Sequence, residues 1–264
     1  MDECVFRREG ICEMDFCNLN LLSYEGECFV GHTLACLNEW EKIKPKYGKA
    51  LARVLNLSRS DADKVVSTAV ALHDVGKLAV PYQKALISDE YRGLKADFRH
   101  ELVSAYVVHE ALKPCGFVAL ISAGATMLHH EPILLGQIVR AGERAITVTD
   151  LRRRFLATLR RLGASSMEFA DGSAGVVSSI CERINVAIEL PASVEVSEIV
   201  SVLRRVIERL RNVGTPEFRN QIRLRVAALQ HVIVLCDYRS AGLRGHTDER
   251  FFAKLMREGG RGAA

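Results

Sequence analysis

The sequence predicts an all-α fold, a helical bundle with a dimetal site in its core, and three observations lead to it. Apolar residues recur at helical spacing along most of the 264 residues. Strict apolar–polar alternation is nowhere long enough to build a sheet. Five separate pieces of chain carry imidazoles and carboxylates, which inward-facing helices of a bundle can bring to one polar centre.

Helical spacing covers about 32–43, 61–74, 99–112, 116–129, 142–161, 174–188, 195–212 and 217–240. Breaks are expected at Pro45, from Gly76 to Pro81, and at Pro114, Pro132, Gly163, Pro191 and Gly214. Ser60 is placed to cap the second helix, with Asp61 and Asp63 favouring its positive end. EGECFV reads as a short strand, and VEVSEIVSVL begins with alternation. The chain is expected to form one domain: a ligand-bearing core over about 28–140 and 225–242, an Arg-rich helical insertion over about 141–224, and a flexible tail over 258–264.

The candidate ligands are His32, the pair His73 and Asp74 in LHDVGK, His100 in FRHE, the doublet His129 and His130, and Asp237 in LCDYRSA. They use five of the chain's eight histidines. Seven such groups exceed what one ion takes from protein, so the count predicts two metals sharing a ligand. His73 and Asp74 fall at the end of an apolar helix, where Gly76 would let the chain turn, and the two oxygens of Asp74 suit a bridge.

Each ligand has a plainer alternative. On a helix His129 and His130 would point about 100° apart, leaving one for metal and the other for phosphate or solvent. Asp237 could pair with Arg239, and Lys77 with a nearby carboxylate. His109, His231 and His246 fall outside the constellation, while Glu101 and Glu131 could orient imidazoles. The eight cysteines form no Cys-x-x-Cys pair and read as small buried apolar residues.

Composition is that of a globular protein, with 48% hydrophobic and 26% charged residues. No apolar run reaches the ~18 residues of a membrane span. The acidic start MDECVFRREG does not read as a signal peptide, so a cytoplasmic location is expected. Charge is uneven. Residues 1–139 hold 15 basic and 18 acidic side chains, net −3, and residues 140–264 hold 21 and 14, net +7. Arginine dominates the excess, in LRRRFLATLRRL (Arg152, Arg153, Arg154, Arg160, Arg161) and from Arg204 to Arg225. These are either solvated helix faces or a track for nucleic-acid phosphates. No G-x-x-x-x-G-K-[ST] sequence is present, so ATP is not expected to bind.

Taken in order, His32, HDVGK followed by VPYQKAL, FRHELVSA, LHH and CDYRSA resemble the HD superfamily of metal-dependent phosphohydrolases, and within it the stand-alone, helicase-free HD nuclease of type I CRISPR interference. The likeness spans about residues 28–242, although from 140 to 225 it lies only in helical length and order. One departure is Glu131, where the family often has glycine. The resemblance implies one ion on His32, His73, Asp74 and Asp237 and a second on Asp74, His100, His129 and His130. It implies that Lys77 stabilises charge on the scissile phosphate. The ions, Mn²⁺, Mg²⁺, Ni²⁺ or similar, would stand about 3.5–4 Å apart and activate water for in-line phosphodiester hydrolysis. It further implies DNA, single-stranded, as substrate, with a separate helicase subunit and a CRISPR effector complex as partners. A phosphohydrolase of nucleotides or cyclic nucleotides, or a non-catalytic subunit of a CRISPR complex, are the alternative readings.

Overall fold

In a computed structural model of the chain, the described residues are 6, 10, 11, 21–87, 99–130, 147, 149, 150, 153, 156, 157, 166–211 and 214–241. Leu22–Tyr24 (β1) pairs antiparallel with Glu27–Cys28 (β2), which runs directly into the helix Phe29–Leu55 (α1). The Cys28 sulfur accepts from the Gly31 backbone N–H at 3.2 Å and caps that helix.

Pro45 does not end α1 as expected. Its missing N–H frees only the carbonyl of Glu41, and both residues lie on the exposed face, where solvent can reach that carbonyl. Trp40 and Ile43 before it, and Leu51 and Leu55 after it, anchor both halves in the core.

The second helix, Arg59–Leu72 (α2), is capped by Ser58, not Ser60. Ser58 Oγ accepts from the Asp61 N–H at 3.1 Å and donates to Asp61 Oδ2 at 2.7 Å, so the capping residue and its acidic partner stand three apart. From Val65 onward every residue of α2 is buried, as a helix surrounded by others requires. The helix Phe29–Leu55 flanks it, together with His100–Ala111 (α4), Phe117–Met127 (α5) and Pro216–Ala241 (α8).

Between α2 and α4 come a 3₁₀ turn, Val75–Leu78, and the helix Val80–Ile87 (α3). Pro114 sits in a second 3₁₀ turn, Lys113–Cys115, that separates α4 from α5. The helix Ser173–Arg183 (α6) ends earlier than spacing suggested, with Asn185 at φ 55 just beyond it. Met167–Glu168 (β3) and Ser193–Val194 (β4) pair antiparallel. The helix Val196–Arg211 (α7) packs on α4, α5 and α8. Gly124 allows that contact, since a Cβ there would lie 3.2 Å from Val206 and 3.3 Å from Val226.

The arginines of α7 and α8 behave as solvated or packed helix residues. Arg204 and Arg205 are exposed, Arg209 covers the ring of Phe117, and Arg223 Nε donates to the Leu210 carbonyl at 3.0 Å. Of the other cluster, Arg152, Arg154, Arg160 and Arg161 lie outside the described residues, as do most of the helix expected over 142–161, Glu131, His246 and the tail. Arg153 is exposed, 3.8 Å from Asp150. No helix among the described residues is long and apolar enough to cross a membrane.

Candidate metal centre

The C-terminal end of α2 delivers His73 and Asp74 into a buried cluster, and four neighbouring segments supply the rest. His32 comes from the first turn of α1, His100 from the start of α4, His129 and His130 from the turn after α5, and Asp237 from the last turn of α8. All seven predicted ligands meet there, and each except His130 is buried.

Asp74 is the hinge of the arrangement. Its Oδ2 lies 3.2 Å from His32 Nε2 and 3.5 Å from His73 Nε2, whereas its Oδ1 lies 3.0 Å from His100 Nε2, 3.5 Å from His129 Nε2 and 4.0 Å from His130 Nε2. Asp237 Oδ1 adds to the first group, at 3.3 Å from His32 Nε2 and 3.9 Å from His73 Nε2. Two sets of donor atoms result. His32, Cys36, His73 and Asp237 form one, and Asp74, His100, His129 and His130 the other, each within 4.8 Å of one another.

The imidazole tautomers suit metal. His73 Nδ1–H donates to the Val70 carbonyl at 2.7 Å, and His129 Nδ1–H donates to the Thr126 carbonyl at 2.6 Å. A carbonyl only accepts, so the proton is fixed on Nδ1 and the Nε2 lone pair faces the cluster. Both Nε2 atoms are buried without a hydrogen-bond partner. An orphaned buried acceptor is costly unless something else satisfies it, and a divalent cation does so. Bonds of about 2.0–2.2 Å to nitrogen and oxygen put neighbouring ligand atoms roughly 3–3.5 Å apart, the range seen around both oxygens of Asp74 except toward His130, at 4.0 Å.

Burial and charge pull against each other throughout. Burial would raise the Asp74 carboxyl, but Lys77, His73, His100 and His129 hold it well below the usual carboxylate range. Asp237, likewise buried, is held low by His32 and His73. Burial would lower His32, but Cys36, Glu27, Asp237 and Asp74 around the ring raise it well above its usual value. His129 is raised against burial by Asp74 and Asp237. Burial, reinforced by the charges of His129 and His100, keeps His130 well below it. Lys77 is buried and raised by Asp74, with Nζ 2.5 Å from Asp74 Oδ2, so in the metal-free protein it makes the ion pair that was its plainer role.

Several expectations are corrected. The doublet does not lie on a helix: α5 stops at Met127, and the turn that follows lets both rings face the cluster, centroids 3.9 Å apart. Gly76 has no positive φ; it is needed for close approach, because a Cβ there would fall 2.1 Å from the His100 carbonyl oxygen. Asp237 faces the histidines, and Arg239 reaches Glu39 instead, at 3.7 Å. His109, expected outside the constellation, does lie outside it and contacts Glu110 at 2.7 Å. Glu101 stands 3.8 Å from His100 Nδ1, beyond hydrogen-bond reach.

Sequence reading missed three supports and one donor. Glu27 Oε1 sits 2.9 Å from His32 Nδ1. Ser104 Oγ accepts from the Gly76 N–H at 2.8 Å, and Gln230 Nε2 donates to the Leu128 carbonyl at 2.6 Å, tying the doublet's turn to α8. The donor is Cys36, read as merely apolar, although its spacing of four from His32 puts both on one helix face.

An all-helical frame closing on a buried histidine–aspartate core is the architecture of an HD-type metal-dependent hydrolase. The family model for the Cas3 HD domain matches residues 32–202. A CRISPR-associated endonuclease Cas3-HD of Pyrococcus furiosus is 34% identical over 248 residues, covering 89% of this chain and 96% of that protein. One of the same name from Methanocaldococcus jannaschii is 31% identical over 236 residues, covering 86% and 90%. The solved CRISPR-associated Cas3 HD domain protein from Methanocaldococcus jannaschii shares the fold, with a TM-score of 0.60 at 24% identity, over 82% of this chain and 100% of that one. The chain belongs to the Cas3 HD domain family and is a metal-dependent nuclease.

Proposed function

We propose that this chain cuts DNA, preferentially single-stranded, during CRISPR interference in the cytoplasm, by hydrolysis at two divalent ions bridged by Asp74. The observation that carries the reading is the division of Asp74's oxygens, Oδ2 toward His32 and His73 and Oδ1 toward His100, His129 and His130. The first ion would be held by His32, His73, Asp74 and Asp237, and the second by Asp74, His100, His129 and His130. When bound, such ions supply Lewis acidity that lowers the pKa of water and offsets charge developing on the phosphate. Of the candidate ions, Ni²⁺ suits the imidazoles, whereas Mn²⁺ and Mg²⁺ suit the carboxylates.

The protein's own groups do the positioning. His130 has a side chain 29% exposed against 0% for His129, which makes the His130 side the way in for a phosphodiester. Lys77 keeps its positive charge at any ordinary pH and is the group available to pair with a phosphate oxygen. The exposed Arg153, with Arg152, Arg154, Arg160 and Arg161, would hold the strand by backbone phosphates, making binding salt-sensitive and indifferent to sequence. Unwinding would fall to a separate helicase, and delivery to an effector complex.

The test is cleavage of end-labelled single-stranded DNA, beside duplex DNA, RNA and a panel of cyclic nucleotides, by metal-stripped protein resupplied with single metals. Metal-restored cutting of single-stranded DNA is expected. Turnover of cyclic nucleotides without DNA cutting would move the activity to small-molecule phosphohydrolysis, and silence on every substrate would favour a non-catalytic subunit.

Protons should compete with the metal. His32 and His129, raised in the metal-free protein, stabilise it below the ordinary histidine value of about 6.5, and that contribution is lost as pH rises through their higher folded values. Metal binding needs the neutral rings, so affinity moves the opposite way. The gain in Tm on adding Mn²⁺ is therefore expected to grow across the window that opens at about pH 6.5 and extends upward through the raised folded values of these two histidines. A gain that stays flat in thermal melts across that window would show that these two histidines do not bind the ions.

A further inference from the structure

Cys36 is a donor that the two-ion reading does not use. It stands one turn after His32 on α1, fully buried, with its sulfur 3.6 Å from His32 Nε2. With His32, His73 and Asp237 it completes one of the two compact donor sets. Bonds of about 2.3 Å to sulfur and about 2.1 Å to nitrogen, at ligand angles of about 90–120°, separate those two atoms by about 3.1–3.8 Å. The nitrogen–oxygen separation over the same angles, with bonds of about 2.1 Å, is about 3.0–3.6 Å. His32 Nε2 and Asp237 Oδ1 lie 3.3 Å apart. An independent sign that this pocket suits a cation is His73 Nε2, which belongs to a residue only 1% exposed and has no hydrogen-bond partner.

We propose that Cys36 is a fifth ligand of the ion assigned to His32, His73, Asp74 and Asp237, and that its sulfur makes this position selective for thiophilic transition metals such as Zn²⁺ or Co²⁺ over Mg²⁺. The proposal rests on the two-ion reading and deepens it. Imidazole and carboxylate alone accept a wide range of divalent ions, whereas a soft sulfur discriminates strongly against hard ones. In the metal-free protein Ser240 Oγ–H donates to the Asp237 carbonyl at 2.8 Å, so the Cys36 thiol is the donor in its 3.1 Å contact with Ser240 Oγ. On coordination the thiol proton leaves to solvent, since the thiolate is the binding form. Ser240 Oγ–H is then placed to turn toward the sulfur.

The experiment is titration of the metal-stripped full chain with Co²⁺, read by absorption. A thiolate-to-cobalt charge-transfer band in the near ultraviolet is expected, lost in Cys36→Ser and in Cys36→Ala, and kept in Cys181→Ala, which removes a buried thiol outside the cluster. Co²⁺ affinity at this position should fall in Cys36→Ser by at least the roughly 10- to 100-fold that loss of even an outer-sphere partner costs, with Mg²⁺ affinity unchanged. Far-ultraviolet circular dichroism identifies a variant that fails to fold, and two variants of different size keep the comparison available. Co²⁺ bound at two equivalents without the band, or with a band that survives both Cys36 variants, overturns the proposal and leaves the two-ion reading standing. No Co²⁺ binding by the native protein overturns the two-ion reading itself.

Discussion

Asp74→Ala is expected to abolish metal retention and cleavage together. Asp74 is the only described residue whose two oxygens face both donor sets, so on the proposed two-ion reading its loss would weaken both ions at once. Cleavage should fall by at least about a thousandfold, or ~4 kcal/mol of transition-state stabilisation. Metal content measured after dialysis should drop from two equivalents to below one. Asp237→Ala removes oxygens from one set alone and should leave the second ion in place, so the two variants differ in stoichiometry even if both are inactive. Asp74→Ala retaining both ions would sink the bridging assignment.

The same substitution carries a folding cost of separate origin. Lys77 is buried, and its Nζ sits 2.5 Å from Asp74 Oδ2. Removing the carboxylate leaves a buried ammonium with its partner gone, a change worth about 3–5 kcal/mol. Adding Lys77→Met should recover most of that stability in denaturant unfolding without restoring metal or activity. The double variant thus separates the structural role of the pair from its chemical role.

What the sequence made legible was chemistry that depends on order along the chain. His32, His73, Asp74, His100, His129, His130 and Asp237 are all gathered in one centre, and helix is the dominant element, because ligand type and apolar period are local properties of sequence. What stayed hidden depends on through-space contact. Cys36 looks apolar until the helix axis is fixed and its sulfur is found beside His32 Nε2. Gln230, a hundred residues from Leu128, cannot be connected to the doublet's turn by any local rule. The end of α5 at Met127 was missed because FVALISAGATMLHH keeps its apolar character past the point where the backbone turns. Pro45 was over-read as a break because its effect depends on whether the freed carbonyl meets water, and exposure is a tertiary property.

Gly76→Ala shows how strongly the centre depends on a residue that binds nothing. The 3₁₀ turn Val75–Leu78 presses against the start of α4 so closely that an added Cβ would fall 2.1 Å from the His100 carbonyl oxygen, 2.9 Å from its carbon and 3.0 Å from Val103 Cβ. The obstacle is backbone, so no side-chain rotation relieves it, and α4 must move away from Asp74. Its displacement would strain the 2.8 Å hydrogen bond from the Gly76 N–H to Ser104 and carry His100 off the 3.0 Å contact that places it in the second donor set. Overpacking usually costs about 1–3 kcal/mol, and a clash with main chain in a buried turn belongs at the upper end. The first set contains no atom of α4, so Gly76→Ala should lose the second ion selectively: about one equivalent of metal retained, cleavage reduced by roughly a hundredfold or more, and excess Mn²⁺ restoring only part of it. Full occupancy with native activity in that variant would mean that the turn and α4 can separate without disturbing His100, and that the close approach is not what sets the geometry of the centre.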